Sequence, residues 1–213
     1  MRNFDNSYFT EGIKYIAGTD EAGRGPLAGP VVAAAVIFAK GVFIKGVDDS
    51  KKLSEAERDR LFPIILDKCL AYSYSVVSNE EIDRINILQA SLLAMRNSID
   101  GLILIPDLIL VDGNKGLNHP IDSIPIIKGD SKSFAIASAS IIAKVTRDKI
   151  MKDLSVHYPQ YLWEKNKGYP TQEHIAAVKE AGPCRYHRRS FLKNFFAEDY
   201  LRELRFDPEK ETV

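Results

Sequence analysis

The sequence predicts an α/β or α+β domain with a mostly helical C-terminal part. Three observations carry that class. Short apolar runs bounded by glycine, proline and aspartate interleave with amphipathic stretches of helical period. One run, Val31-Val32-Ala33-Ala34-Ala35-Val36-Ile37-Phe38, is apolar on both faces, as a strand covered on both sides must be. After Tyr158-Pro159 the strand-like runs cease.

The elements follow in order. Residues 14–18 and 30–39 read as two strands joined by the Gly/Pro-rich loop 23–29. Ser54-Glu55-Ala56-Glu57 is a capping box that opens a helix, which Pro63 should kink or restart. Tyr72-Ser73-Tyr74-Ser75-Val76 alternates and reads as a third strand. Ser78-Asn79-Glu80-Glu81 opens a second helix, whose buried face runs through Leu88, Leu92, Met95 and Ile99 and which Gly101 ends. Residues 107–111 form a short strand ending at Asp112-Gly113-Asn114, and residues 125–128 a fifth. A long helix over 131–154 carries Ala135, Ala137, Ala139 and Ala143, small enough to lie close to a sheet and good helix formers in their own right. Thr171 caps a short helix that ends at Gly182-Pro183, residues 185–191 make a basic linker, and 195–204 a terminal helix before a frayed tail at 207–213.

The chain has 213 residues, 45% of them apolar, enough for one large domain or a domain with a small appendage. The expected division is a catalytic domain over 1–155 and a helical C-terminal extension over 156–213 packed on it. No apolar run approaches a membrane span, and residues 1–11 are too polar for a secretory signal, so a cytoplasmic location is expected. Cys69 and Cys184 match no metal spacing and are expected as reduced thiols. Formal net charge is zero, with 29 basic and 29 acidic residues, which by itself argues against a nucleic-acid binder. Charge distribution argues the other way. Lys128, Lys132, Lys144, Arg147, Lys149 and Lys152 cluster against only Asp130 and Asp148, and Arg185, Arg188, Arg189 and Lys193 lie close together with His187 and no acid.

Carboxylates stand at the ends of three strands: Asp20-Glu21, Asp112 and Asp130. If those strands are parallel neighbours, the acids gather at the carboxyl ends of the sheet, where open α/β sheets bind ligands. Such a cluster repels itself unless protons or cations compensate. An all-oxygen ligand set selects hard ions, Mg²⁺ or Mn²⁺, and two such ions are suited to in-line attack of water on a phosphodiester. Each acid has an ordinary explanation too: an isolated Asp-Glu pair, a turn at Asp112-Gly113, and a helix N-cap region at Asp130.

The segment Thr19-Asp20-Glu21-Ala22-Gly23-Arg24-Gly25-Pro26-Leu27-Ala28-Gly29-Pro30-Val31 resembles the opening signature of the bacterial ribonuclease HII family, the type 2 ribonucleases H. So do Asp49-Ser50-Lys51-Lys52-Leu53-Ser54, Val111-Asp112-Gly113-Asn114, Lys128-Gly129-Asp130, the run from Ala137 to Asp148, Gly168-Tyr169-Pro170-Thr171 and His187-Arg188-Arg189-Ser190-Phe191. The resemblance implies a ribonuclease H-like fold, a five-stranded mixed sheet flanked by helices with a helical C-terminal extension. It implies an endonuclease that cuts the RNA strand of RNA–DNA hybrids and incises 5′ of single ribonucleotides in duplex DNA, leaving 5′-phosphate and 3′-hydroxyl ends. By matched position, Asp20, Glu21, Asp112 and Asp130 are the expected catalytic metal ligands for two Mg²⁺ or Mn²⁺ ions. Gly23, Arg24 and Gly25 are expected to read the ribose 2′-hydroxyl, and Tyr169 to pack on the following deoxynucleotide sugar. Lys51 and Arg188, with Lys128, Lys144 and Arg189, are candidates for phosphate contacts or for holding the site acids. His187 is expected to be structural or a phosphate donor, and His174 a surface or packing residue.

The short N-terminus favours the HII over the HIII subtype. The Gln-x-x-Leu-hydrophobic-hydrophobic motif of clamp-binding relatives is absent from the C-terminus, so no sliding-clamp partner and a monomer are expected. The alternatives are a non-catalytic nucleic-acid-binding protein on the same fold, which would not need all four acids, and a metal-dependent phosphatase, which would not need Gly23-Arg24-Gly25.

Overall fold

A computed structural model of the chain describes residues 1–196. A five-stranded mixed sheet lies between helices. Its strands are β1 (Ile16–Ala22), β2 (Val31–Ile37), β3 (Ala71–Val77), β4 (Leu108–Asp112) and β5 (Ser123–Ile126), in the order β3-β2-β1-β4-β5. β3, β2 and β1 form an antiparallel meander, whereas β4 and β5 run parallel to β1. The three parallel strands are the three that carry the acids, so their carboxyl ends lie side by side.

The helices are α1 (Arg2–Asn6), α2 (Glu55–Lys68), α3 (Asn79–Ile85), α4 (Ile87–Asp100), α5 (Phe134–His157), α6 (Trp163–Asn166), α7 (Gln172–Ala181) and α8 (Arg189–Leu192). β2 is buried on both faces, as its uniform apolar run requires. Val31, Ala33, Ala35 and Ile37 pack with Ala90, Ala94, Met95 and Ile99 of α4. Ala34 and Val36 pack on the other face with Leu61 and Ile65 of α2 and the alanine-rich stretch of α5. β3 reverses the usual alternation. Tyr72, Tyr74 and Val76 face outward, 42–52% exposed, while Ser73 reaches the end of α4 near Gly101.

Several features differ from the sequence expectation, among them β5, which lies at Ser123–Ile126 rather than 125–128, and the short helices α1, α6 and α8, which the sequence reading does not include. β1 continues past Gly18, so Asp20 and Glu21 lie inside a strand, opposite Ala34 and Ala33 of β2. The α2 helix passes through Pro63 without restarting. That proline and Asp59, whose carbonyl loses its partner, are on the exposed face, where water can replace the missing bond. The second helix is two, broken at Asn86 (φ +68°), whose side chain accepts from Leu88 and Gln89 N–H and so caps α4. The long α5 starts later than expected because Gly129–Ser131 first forms a 3₁₀ turn. The predicted helix at 195–204 lies almost wholly outside the described residues.

Residues 159–196 pack around Trp163, Tyr161, Val178 and Leu192, and this cluster includes Leu27 and Ala28 from the β1–β2 loop and Met151 from α5. The C-terminal segment thus shares its core with the loop that follows β1. Among the described residues no helix is long and apolar enough to cross a membrane.

Candidate active site

β1, β4 and the turn after β5 bring Asp20, Asp112 and Asp130 together, with one carboxylate oxygen of each within 4.8 Å of the others. Asp20 is 3% and Asp130 7% exposed. The Asp20 carboxylate accepts from the Glu21 N–H at 2.7 Å, and Asp112 accepts from the Gly129 N–H at 2.7 Å. Burial raises the Asp20 pKa well above the usual carboxylate range, and the neighbouring Glu21 and Asp112 raise it further. Asp130 is raised chiefly by burial, then by Asp112 and Asp49, with Lys51 opposing.

Glu21 is not part of this trio. Successive strand residues point to opposite faces. Thr19 is 3.4 Å from Ser98 of α4, so Glu21 begins on the α4 side, while Asp20 faces α5. Its carboxylate pairs with Arg24 at 3.1 Å. Burial raises its pKa, Arg24 pulls it down, and Asp112 pushes it up. The Asp20 Oδ2 and Glu21 Oε2 atoms are buried and have no hydrogen-bond partner among the described residues. An all-oxygen donor set with two orphaned buried oxygens fits a hard divalent cation, which would satisfy both and cancel the repulsion.

Lys51 reaches Asp130 at 3.7 Å from an exposed position. Burial disfavours its charge, but Asp20, Asp130, Asp49 and Asp112 outweigh that and hold its pKa above the ordinary value. Tyr169 is 39% exposed, with the Lys144 ammonium 5.8 Å from its ring centroid. The Tyr169 ring faces Gly25, where an added Cβ would sit 3.7 Å from Cε1. The two loops expected to read successive nucleotides are therefore adjacent.

Arg188 is placed differently from the expected phosphate contact. It is fully buried, and its guanidinium donates to the Gly23, Arg24, Gly29 and Pro30 carbonyls at 2.7–3.2 Å. Arg147, which the sequence marked only as part of a basic cluster, is also fully buried and donates to Pro30, Ala28 and Lys167 carbonyls at 2.9–3.1 Å. Burial lowers the Arg188 pKa to about 9 and the Arg147 pKa to about 10, so both stay charged at neutral pH. Together they clamp the loop after β1. Gly23 is fixed by this clamp: at φ +103° its missing Cβ would collide with the Arg147 guanidinium and lie 2.8 Å from the Pro30 carbonyl.

A mixed sheet with clustered acids near the ends of its parallel strands, beside a clamped glycine loop, suits a metal-dependent enzyme that acts on a phosphate ester. The ribonuclease HII family model matches residues 17–197. A ribonuclease HII from Caldicellulosiruptor saccharolyticus is 50% identical over 197 residues, covering 89% of this chain and 96% of that one. Among solved structures, ribonuclease H2 from Pyrococcus horikoshii superposes with a TM-score of 0.71 at 27% identity, covering 93% of this chain and all of that one. The ribonuclease HII from Archaeoglobus fulgidus, solved in complex with PCNA, superposes at 0.68 with 26% identity, covering 82% of this chain and 94% of that one. The chain belongs to the ribonuclease HII family, metal-dependent endoribonucleases that act on RNA–DNA substrates.

Proposed function

We propose that this chain incises duplex DNA 5′ of a single embedded ribonucleotide, as well as cutting RNA–DNA hybrids, by two-metal hydrolysis that leaves 5′-phosphate and 3′-hydroxyl ends. The observation that carries this reading is the trio Asp20, Asp112 and Asp130, with carboxylate oxygens within 4.8 Å of one another. Asp20, Asp112 and Asp130, with Glu21 beside Asp20, would hold the ions. When bound, two Mg²⁺ or Mn²⁺ ions supply an activated water and a counter-charge for the leaving 3′-oxygen. The rest falls to the chain. The strand ends hold the acids in place, and Lys51 offsets their charge. Backbone groups of Gly23, Arg24 and Gly25 approach the ribose, whose 2′-hydroxyl separates RNA from DNA. Tyr169 packs on the next sugar, where an added hydroxyl would spoil the contact, so a ribonucleotide-to-deoxynucleotide junction is favoured. The nearness of Gly25 to the Tyr169 ring, which an added Cβ would meet at 3.7 Å, supports this pairing of roles.

The proposed partners are hybrid and ribonucleotide-containing duplexes, bound by a monomer. Binding to PCNA belongs to the archaeal relative. The test is cleavage of three duplexes, all-DNA, RNA–DNA hybrid and DNA with one ribonucleotide, each with Mg²⁺ and with EDTA. The expected result is cutting of the second and third in Mg²⁺ only, with the third cut 5′ of its ribonucleotide. An intact third duplex would contradict the proposal.

A further inference from the structure

Two buried histidines stand behind the Tyr169 loop. His174 is 0% and His187 1% exposed. The Cys184 N–H donates to His187 Nδ1 at 3.0 Å, which places the His187 proton on Nε2. That Nε2 lies 3.1 Å from His174 Nε2, which also accepts from the Trp163 indole N–H at 3.0 Å. The His174 proton is therefore on Nδ1, where it donates to the Tyr169 carbonyl at 3.0 Å. Every ring nitrogen has a consistent partner when both imidazoles are neutral. The chain of bonds starts at one backbone segment, at Cys184, and ends on the backbone of the residue that is proposed to touch substrate.

The same two segments enclose the loop after β1. Leu27 N–H donates to the Gly168 carbonyl at 2.8 Å, Gly29 N–H to Tyr186 at 2.9 Å, and Arg188 N–H to Leu27 at 2.7 Å. Residues 27–29 thus run between the Tyr169 segment and the His187 segment, and the imidazole pair ties those segments together. An apolar ring in place of His174 would fill the space without burying two imidazoles. What it could not do is donate to the Tyr169 carbonyl, which would be left with its bond from the Thr171 N–H at 2.8 Å.

From this geometry we infer that His174, oriented by His187 and Trp163, is a positioning residue that sets the place of Tyr169 and thereby the preference for a ribonucleotide-to-deoxynucleotide junction over a uniform hybrid. The inference rests on the reading of Tyr169 as the residue that meets the deoxynucleotide sugar.

The test compares kcat/KM on a duplex with one ribonucleotide and on a uniform hybrid, for the wild type, His174→Phe, His174→Asn, Tyr169→Ala and the Tyr169→Ala/His174→Phe double variant. The expected result is that His174→Phe lowers the junction-to-hybrid ratio by about tenfold, the scale of a small misplacement near the reacting atoms. His174→Asn, whose amide N–H can still donate to the Tyr169 carbonyl, should recover most of the ratio. In the Tyr169→Ala background, His174→Phe should change the ratio no further. Equal loss on both substrates, or the same loss with and without Tyr169, would overturn the inference. Should His174→Phe fail to fold, His187→Asn replaces it. It keeps an acceptor for the Cys184 N–H but withdraws the support from His174, and an unchanged ratio there would overturn the inference. A separate readout tests placement alone, by tryptic cleavage after Lys165 and Lys167 in the native protein. Faster nicking in His174→Phe supports positioning, and unchanged protection overturns it. If Tyr169→Ala leaves the ratio untouched while His174→Phe speeds nicking, the sugar contact has failed and the positioning has not.

Discussion

Gly23 and Gly25 occupy neighbouring places in one loop and answer to different constraints. Gly23 has a left-handed backbone and a guanidinium where its side chain would be. Gly23→Ala should therefore cost stability, more than about 2 kcal/mol by urea unfolding, from strain and collision together. At Gly25, among the described residues, the only neighbour of an added methyl is the Tyr169 ring at ordinary contact distance. Gly25→Ala should leave the melting temperature within about 2 °C of wild type, as surface substitutions do. It should nevertheless lower cleavage of the single-ribonucleotide duplex by about tenfold or more. Equal thermal loss in both variants would show that Gly25 serves the fold alone. His187 supplies a pH dependence at the same scale. Burial, then the neighbouring His174, drives its pKa down to about 3. The unfolded imidazole titrates near 6.5, so below that pH the unfolded chain gains a proton that the folded chain refuses. Its contribution is complete above the unfolded value and is lost as pH falls toward the folded one. The raised carboxylates of the site act in the opposite sense, so the measurement is a difference. Between pH 6 and pH 4, His187→Asn should flatten the rise of unfolding free energy with pH by about 1.4 kcal/mol per unit, and parallel curves would contradict the neutral buried assignment.

At the scale of elements, the site exists because β1, β4 and β5 are parallel and adjacent. The sequence carried most of this. The doubly apolar run predicted β2, and the acids at 20, 112 and 130, expected near the ends of three strands, do come together in the fold. Other features depended on tertiary contacts with no local signature. Arg188 looks from its basic surroundings like a phosphate ligand, but the carbonyls that claim it lie more than 150 positions away in the chain. Glu21 follows Asp20 directly, yet strand alternation starts its side chain on the other face, and its carboxylate pairs with Arg24 while still close enough to Asp112 to be repelled by it. Asn86 reads as an ordinary polar position in a helical run until its positive φ shows it capping the next helix. The two buried arginines give this scale its prediction. A lysine has a single point of charge and no planar fork, so Arg188→Lys cannot span four carbonyls. It should destabilise the protein by about 2–4 kcal/mol in urea and lower cleavage of ribonucleotide-containing duplexes under conditions where it remains folded. Wild-type stability in that variant would show that the clamp holds nothing.

For the whole molecule, zero net charge conceals an uneven distribution: Arg147 and Arg188 of the basic stretches are buried and hold backbone carbonyls, while Asp20 and Asp130 of the acidic cluster are buried near one another. Without cations the cluster works against the fold, because buried carboxylates repel and two of their oxygens have no partner among the described residues. Function is thus held at some expense of stability. In EDTA, Asp20→Asn should melt higher than wild type. In millimolar Mg²⁺ or Mn²⁺ the wild type should gain stability through binding to the folded state, and the variant should not. Thermal scans in the two buffers check both signs, and a variant that melts lower in EDTA and still gains from the ions would oppose them.

The most direct measurement is Mn²⁺ binding followed by electron paramagnetic resonance of the free ion, for wild type and Asp20→Asn, with cleavage of the single-ribonucleotide duplex recorded on the same samples. The account predicts that the folded variant loses both ion binding and cutting. A folded Asp20→Asn that binds Mn²⁺ and cuts as the wild type does would contradict it.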